Sequence, residues 1–223
     1  MQELLEMGNI EEEDQKAYAV APYLTQGIVT PEELRRLADV AEKYHAAAIK
    51  VTEAKKIAIV GLKEEDIDAA WQELEMRPET AIGLCIRNVK ICPGVTYCKM
   101  GFQDAITVGT KLDDYYHERE LPCEVKMGIS GCPNSCSDSR IRDIGLIGGV
   151  KGWMVYIGGK GGSSPKLGER IAVNVTEEKV FELIDKMLRV YCEQADQKET
   201  FEDYLGSVGI EAFKKEINIT SFV

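Results

Sequence analysis

The first third of the chain alternates between a helical and a strand-like spacing of apolar residues. Residues 30–46 carry apolar side chains at intervals of three and four, which predicts an amphipathic helix. Thr30 suits the N-cap and Glu33 completes a capping box with it. Short apolar runs at 48–52 and 56–61 predict a pair of strands, and 63–75 predicts a second helix. The first 20 residues follow neither spacing, and we expect a short helix or a loose arm there.

From residue 80 onward, short apolar strands dominate and helices are interspersed among them. The segments expected to form strands are 80–92, 123–129, 143–149, 152–159 and 170–175. Helices are expected at 101–118 and at 176–195, where Thr176 is the N-cap and Lys179 excludes a capping box. The tail predicts two short helices broken at Gly206 and Gly209, and the sequence as a whole predicts an α+β protein.

Charge is distributed unevenly along the chain. The formal net charge is -11, which argues against a nucleic-acid partner. Residues 81–170 hold 12 Lys and Arg against 9 Asp and Glu, so this middle segment is basic. That excess suits a pocket for a small anion or an anionic cofactor, and chance variation in surface charge explains it equally well. No apolar run is long enough to span a membrane and the N-terminus lacks the features of a signal peptide, so we expect a cytoplasmic protein.

Four of the seven cysteines form two close pairs in loops rich in glycine, proline and serine. Cys92 and Cys98 enclose five residues, and Cys132 and Cys136 enclose three. Such loops can wrap an iron–sulfur cluster and leave backbone N–H groups free to face sulfur. A zinc site is the competing interpretation, although the five-residue gap fits it poorly, and four buried apolar thiols are a third. The other cysteines are expected to be core thiols and the histidines structural: Cys85, Cys123, Cys192, His45 and His117.

The paired cysteine motifs resemble the signature of sirohaem-dependent sulfite and nitrite reductases. The stretches CPGVTYCKMGFQDA, GISGCPNSCSDSR and GWMVYIGGKGG are similar to the sirohaem domain of that family, and KVTEAKKIAIVGLKEEDI is similar to its ferredoxin-like half-domain. The resemblance implies a ferredoxin-like half-domain at 25–78, after an arm or helix at 1–24. An α/β domain for sirohaem and a [4Fe-4S] cluster would follow at 79–197, with C-terminal helices at 198–223.

The resemblance also assigns roles to individual residues. Cys92, Cys98, Cys132 and Cys136 would bind the cluster, and Cys136 would also bridge to the sirohaem iron. Arg87, in IRNVKIC, would contact the substrate together with Lys126. The family pattern has a further lysine where this chain has Glu124. Basic residues that would bind sirohaem carboxylates are Lys50, Lys55, Lys56, Lys160, Lys166 and Arg170.

The function implied is the six-electron reduction of sulfite to sulfide or of nitrite to ammonia. The chain lacks a dinucleotide-binding glycine motif, so a ferredoxin-like protein or a reductase subunit would supply the electrons. Large family members carry two copies of this unit and this chain carries one, which implies a homodimer. The alternatives are a [4Fe-4S] electron-transfer protein, or a subunit of a larger reductase, without its own catalytic sirohaem.

Overall fold

The computed structural model describes residues 9–11, 17–24, 27–53, 55–79, 86–116 and 119–222, with the backbone alone at 9–11, 87 and 88. The chain divides into two compact units, Met1–Gly83 and Leu84–Val223. Among the described residues, no helix is long and apolar enough to cross a membrane.

A mixed helix and sheet structure forms the first unit. Its helices are α1 (Pro31–Lys43) and α2 (Ile67–Leu74), the second preceded by a 3-10 turn at Glu64–Asp66. Strands β1 (Asn9–Glu11), β2 (Tyr18–Val20), β3 (Ala48–Val51) and β4 (Ile57–Leu62) pair antiparallel in the order β1-β2-β4-β3. Helix α1 begins as predicted, because the Thr30 side chain accepts from the Glu33 N–H while the Glu33 carboxylate accepts from the Thr30 N–H.

The N-terminal segment corrects one expectation. Strands β1 and β2 form where a short helix or a loose arm was expected, and β2 pairs with β4. Ala19 and Val20 are buried and Val20 belongs to the hydrophobic core of this unit, so this short strand is held by packing as well as by the ladder. The sequence pattern missed it because three residues are too few to show a period of two.

A five-stranded sheet organises the second unit. Its strands are β5 (Ile86–Ile91), β6 (Val125–Ser130), β7 (Ile144–Gly149), β8 (Gly152–Ile157) and β9 (Glu169–Val175), and they lie side by side in sequence order. Strands β5, β6 and β7 are parallel, whereas β7, β8 and β9 are antiparallel. The carboxyl ends of the three parallel strands therefore share one edge of the sheet, and loops that follow them meet there.

Helices cover this sheet and close its core. They are the single turn α3 (Gly94–Tyr97), α4 (Ala105–Tyr116), α5 (Glu177–Gln194), α6 (Phe201–Val208) and α7 (Ile210–Glu216). The predicted break at Gly206 is wrong, because Gly206 lies inside α6 and the chain turns at Gly209, whose φ is +85°. An aromatic cluster joins α5 to the tail, with Tyr191 edge-on to Phe201 at 5.1 Å between ring centroids.

Candidate [4Fe-4S] site

The first cysteine of each pair lies at the carboxyl end of one of two neighbouring parallel strands. Cys92 directly follows β5, and Cys132 follows β6 after Gly131. The Cys92 N–H donates to the Ile129 carbonyl at 3.0 Å, which continues the ladder between the two strands. The Gly131 N–H then donates to Cys92 Sγ at 3.1 Å. The sheet thus brings the two cysteine loops together although 33 residues separate the two motifs.

Backbone hydrogen bonds fix the loop that carries Cys98. The turn α3 ends at Cys98, whose N–H donates to the Gly94 carbonyl at 2.9 Å. The N–H groups of Phe102 and Gln103 both donate to the Gly131 carbonyl, at 2.8 and 3.0 Å. These hydrogen bonds between the two cysteine loops therefore hold each loop in place against the other.

Consecutive turns shape the loop that carries Cys136. The Ser135 N–H donates to the Cys132 carbonyl, and the Ser137 N–H donates to Ser130 Oγ at 3.1 Å. Ser130 Oγ in turn shares a 2.9 Å hydrogen bond with Ser139 Oγ beneath the loop. Ser135 has a left-handed φ of +54°, and this reversal leaves Cys136 exposed while Cys132 is buried.

Two glycines make room for this loop on the face of the sheet. Gly128 of β6 and Gly145 of β7 are partners in the strand register. A Cβ at Gly128 would lie 2.6 Å from the Ser137 carbonyl oxygen, and a Cβ at Gly145 would lie 1.7 Å from the Ser139 carbonyl oxygen. Only glycine at both positions lets the backbone of the Cys136 loop lie directly on the strands.

The surroundings of the sulfurs fit a thiolate-bound cluster. Cys92 Sγ accepts two backbone N–H groups, from Gly94 at 3.4 Å and from Gly131 at 3.1 Å, and hydrogen bonds to sulfur are a feature of iron–sulfur sites. Cys92 and Cys132 are buried, Cys98 is half-buried and Cys136 is exposed. In the described part of the chain, no three His, Cys, Asp or Glu side chains are gathered to hold a single metal ion. A [4Fe-4S] cluster instead needs four cysteine thiolates spread around it.

A partly buried ion triad, which the sequence pattern did not reveal, lies beside the Cys136 loop. Lys90 of β5 is only 9% exposed, and its ammonium lies 2.7 Å from the Asp138 carboxylate. The Arg142 guanidinium lies 3.1 Å from the same carboxylate. The hydrogen bond from Lys90 holds the pKa of Asp138 below its usual value, with burial opposing it. The available signal was a lysine between the apolar residues Val89 and Ile91 at the end of β5.

We predict that Lys90→Met lowers the free energy of unfolding by about 1–3 kcal/mol, because a half-buried carboxylate loses a charged partner while the side-chain volume is kept. Urea denaturation at neutral pH measures the change. The matched control is Lys111→Met, which breaks an exposed pair with Glu177 at 2.6 Å and should cost no more than about 1 kcal/mol. An equal effect of the two substitutions would contradict a supporting role for the triad.

Lys126 lines a cleft of about 350 Å³ near the amino end of β6. The lining also includes Glu124, which lies 3.6 Å from the Lys126 ammonium, and Asp143, whose carboxylate accepts from the Lys126 N–H at 2.8 Å. Burial raises the pKa of Asp143 to about 6, against the lowering effect of the Lys126 N–H and ammonium. The cleft thus combines a cation suited to an oxyanion with a carboxyl group that can hold a proton near neutral pH.

We predict that Asp143 makes the fold less stable as the pH rises from about 4 to about 6. The folded state keeps this proton while the unfolded chain releases it, so stability falls through that window, by about 2 kcal/mol. The Asp143→Asn variant keeps the acceptor for the Lys126 N–H and should lack this part of the slope. Denaturation of both proteins across the window gives the comparison, and parallel curves would show that the carboxyl group is not buried as described.

The other predicted basic residues differ in their ion pairs and in their exposure. Lys160 and Lys166 both pair with Glu202, at 3.0 and 3.1 Å. In the first unit, Lys56 lies 2.8 Å from the Glu79 carboxylate and donates to the Leu24 carbonyl. Lys50 and Arg170 are exposed, and Lys55 is half-buried. The backbone of Arg87 is part of β5, and its side chain lies outside the described residues.

The remaining cysteines and histidines give mixed results. Cys192 is exposed on α5 and Cys123 is half-buried, so the expectation of core thiols is wrong for Cys192 and only partly met for Cys123. Burial of part of the Cys192 side chain raises its thiol pKa. His45 lies two residues after the end of α1 and has a left-handed φ of 52°. Cys85 and His117 lie outside the described residues.

Family models match both units of the chain. Residues 82–221 match the nitrite and sulphite reductase 4Fe-4S domain, and residues 10–77 match the nitrite/sulfite reductase ferredoxin-like half domain. The chain belongs to the nitrite and sulfite reductase family. It is therefore an oxidoreductase, and its fold class is the predicted α+β class. The cofactors of this family, a [4Fe-4S] cluster and sirohaem, are those that the sequence predicts.

Relatives of two sizes are similar to this chain. The assimilatory-type sulfite reductase of Nitratidesulfovibrio vulgaris is 33% identical over 210 residues, which cover 94% of this chain and 96% of the relative. The NAD(P)H nitrite reductase of Bacillus subtilis is 34% identical over 201 residues, which cover 90% of this chain and 25% of the relative. This chain thus corresponds to nearly all of the first relative and to about a quarter of the second.

Solved structures share the fold. The crystal structure of dissimilatory sulfite reductase I aligns with a TM-score of 0.80 at 13% identity, covering 91% of this chain and 69% of that chain. The Mycobacterium tuberculosis NirA protein aligns with a TM-score of 0.75 at 23% identity, covering 93% of this chain and 41% of that chain. At these identities the alignments support the architecture, and the site is argued from this chain's own residues.

Proposed function

We propose that this protein reduces sulfite to sulfide, with one [4Fe-4S] cluster and one sirohaem in each chain and electrons from a separate donor protein. The observation that carries the proposal is the junction of the two cysteine loops, where the Gly131 N–H meets Cys92 Sγ at the carboxyl ends of β5 and β6. The full-length match to a sulfite reductase favours sulfite over nitrite, because the nitrite reductase relative is about four times longer than the matched segment.

The four cysteines of the two loops would hold the cluster. Cys92 and Cys132 are preset by buried backbone contacts, whereas the exposed Cys136 is the thiolate available to a second group outside the loop. When bound, sirohaem supplies an iron that binds the substrate and passes electrons to it singly. Hydrogen sulfite takes up six electrons and six protons to give hydrosulfide and three water molecules, so cationic side chains must neutralise the anion and help to supply protons.

Lys126 and Arg87 are the proposed substrate cations, and their position constrains the assembly. Both lie near the amino ends of the strands whose carboxyl ends carry the cysteines. From Lys126 to the end of β6 is about 13 Å at the usual rise of a strand, so within one chain these cations are far from the thiolates. A homodimer would allow the cations of one chain to serve the sirohaem of the other.

We predict that Lys126→Ala lowers turnover by about 100-fold and leaves both cofactors in place, because one preorganised cation is lost from the developing charge. Lys63→Ala, at an exposed position of the first unit, is the matched control. Co-expression of Lys126→Ala chains with Cys136→Ser chains should restore part of the activity if the site is shared between two copies. Absence of restoration would place Lys126 and Cys136 in the same site of one chain.

Cofactor analysis and assays on the isolated protein test the proposal directly. Anaerobic expression with a sirohaem supply should give chlorin-type visible bands, iron and acid-labile sulfide, and turnover of sulfite with reduced methyl viologen. A broad brown shoulder without chlorin bands would instead indicate an electron-transfer protein. Co-purification with a catalytic partner would indicate a subunit of a larger reductase, and faster turnover of nitrite than of sulfite would reverse the choice of substrate.

A further inference from the structure

An apolar surface surrounds Cys98 at the edge of the sheet where the cysteine loops meet. Large apolar side chains in the loop between Cys92 and Gln103 lie open to solvent, among them Tyr97 at 76% exposure and Met100 at 53%. Val150, at the turn between β7 and β8, is 79% exposed at the same edge. We name this surface the Cys98 patch, and its members are Val95, Tyr97, Met100, Phe102 and Val150.

The backbone beneath the Cys98 patch is held in place. The Gly101 N–H donates to the Cys98 carbonyl at 2.9 Å, and the Val95 N–H donates to the Gln103 carbonyl at 3.2 Å. The Gln103 side chain donates to the Gly149 carbonyl at 2.9 Å and so joins the loop to the turn that carries Val150. The hydrogen-bonded backbone therefore holds these apolar side chains at the surface. Exposed apolar groups that cluster in this way mark interaction surfaces.

The charge around the Cys98 patch is positive. Lys99 and Lys151 are exposed beside the apolar side chains. The nearby Asp104 carboxylate accepts from the Thr107 N–H at 3.1 Å, from the Thr107 hydroxyl at 2.7 Å and from the Thr96 hydroxyl at 3.3 Å, so these neighbours occupy it. On a chain with a net charge of -11, this edge would attract an acidic partner and the remaining surface would repel one.

We propose that the Cys98 patch is the docking surface for an acidic electron-donor protein. This inference rests on the proposed function, which needs electrons from outside the chain. A donor docked here would lie against Cys98, the half-buried cluster ligand, and would leave the exposed Cys136 free for the sirohaem. Each docked reduced donor passes one electron to the cluster and leaves oxidised. Tyr97 and Met100 would form the apolar centre of the interface, and Lys99 and Lys151 its charged rim.

The test compares two electron sources on the cofactor-loaded protein. With an acidic plant-type [2Fe-2S] ferredoxin as donor, the Lys99→Glu/Lys151→Glu and Tyr97→Ser variants should each raise the KM for ferredoxin by about tenfold or more. With reduced methyl viologen their turnover should stay within about twofold of the parent. The controls Lys215→Glu and Tyr115→Ser alter exposed side chains on other helices and should behave as the parent with both donors.

Several outcomes would overturn the inference. Patch variants that use ferredoxin as well as the parent does would place the donor elsewhere. A patch variant that changes from dimer to monomer while its KM for ferredoxin is unchanged would assign the surface to a second copy of the chain. If the parent fails to reduce sulfite or nitrite with methyl viologen, the proposed function fails, and calorimetric titration with ferredoxin at low salt then tests docking alone. In that titration Tyr97→Ser must weaken the complex by about tenfold, and equal affinities would refute the docking surface.

Discussion

The Cys136→Ser variant is expected to lose all measurable sulfite and nitrite reduction while keeping the fold of the second unit. Cys136 is exposed and its side chain is not part of the packed core, so the substitution costs little folding free energy. A serine oxygen is a poor, hard substitute for a thiolate on iron, and the proposed link between cluster and sirohaem would be broken. Steady-state turnover with methyl viologen, circular dichroism and pigment extraction measure the three properties.

Cys92→Ser and Cys192→Ser provide the matched comparisons. Cys92 Sγ is buried and accepts two backbone N–H groups, so its loss should remove the cluster and lower the stability of both loops. Cys192 is exposed on α5 and belongs to neither cysteine loop, so its replacement should leave turnover unchanged. If Cys136→Ser retains reductase activity and Cys132→Ser loses it, the bridging cysteine has been assigned wrongly.

Gly145→Ala is expected to prevent the Cys136 loop from forming. The added methyl group would lie 1.7 Å from the Ser139 carbonyl oxygen. The backbone fixes the position of both atoms, so no side-chain rotation can relieve the overlap. Strand β7 lies in the middle of the sheet, so the loop must move instead of the strand. We expect a loss of about 3 kcal/mol or more in the free energy of unfolding, or no folded protein, and a loss of cluster iron in any protein that folds.

Gly206→Ala is the control for this substitution. Gly206 lies within α6 and a Cβ there meets nothing within 4 Å, so alanine should stabilise the helix by about 0.5–1 kcal/mol. Iron content and urea denaturation, measured side by side, separate the two glycines. A Gly145→Ala protein with full cluster content would contradict the proposed packing of the loop on the strands.

The elements with strong local signals could be predicted from the sequence. The capping box of Thr30 and Glu33 depends on residues three apart, and the structure confirms it. Short apolar runs predicted β6 to β9, and the structure has a strand within each predicted segment. The cysteine spacing, with its resemblance to a family, was sufficient to predict the cofactors.

Features that depend on distant residues could not be read locally. The short strand β2 forms because β4 supplies partners for its backbone hydrogen bonds. Gly206 is helical because other residues of α6 pack into the core. The Lys90 and Asp138 pair joins residues 48 positions apart, and no local pattern reports it. Tertiary packing overrides weak local preference at each of these places.

The most direct test of the central claim is the Mössbauer spectrum of the oxidised, iron-57-enriched protein. If Cys92, Cys98, Cys132 and Cys136 hold one cluster and Cys136 also binds the sirohaem iron, the cluster irons will show magnetic coupling to a paramagnetic haem iron. That coupling will be absent from Cys136→Ser. A parent spectrum with an uncoupled cluster, or with no cluster iron at all, would contradict the account.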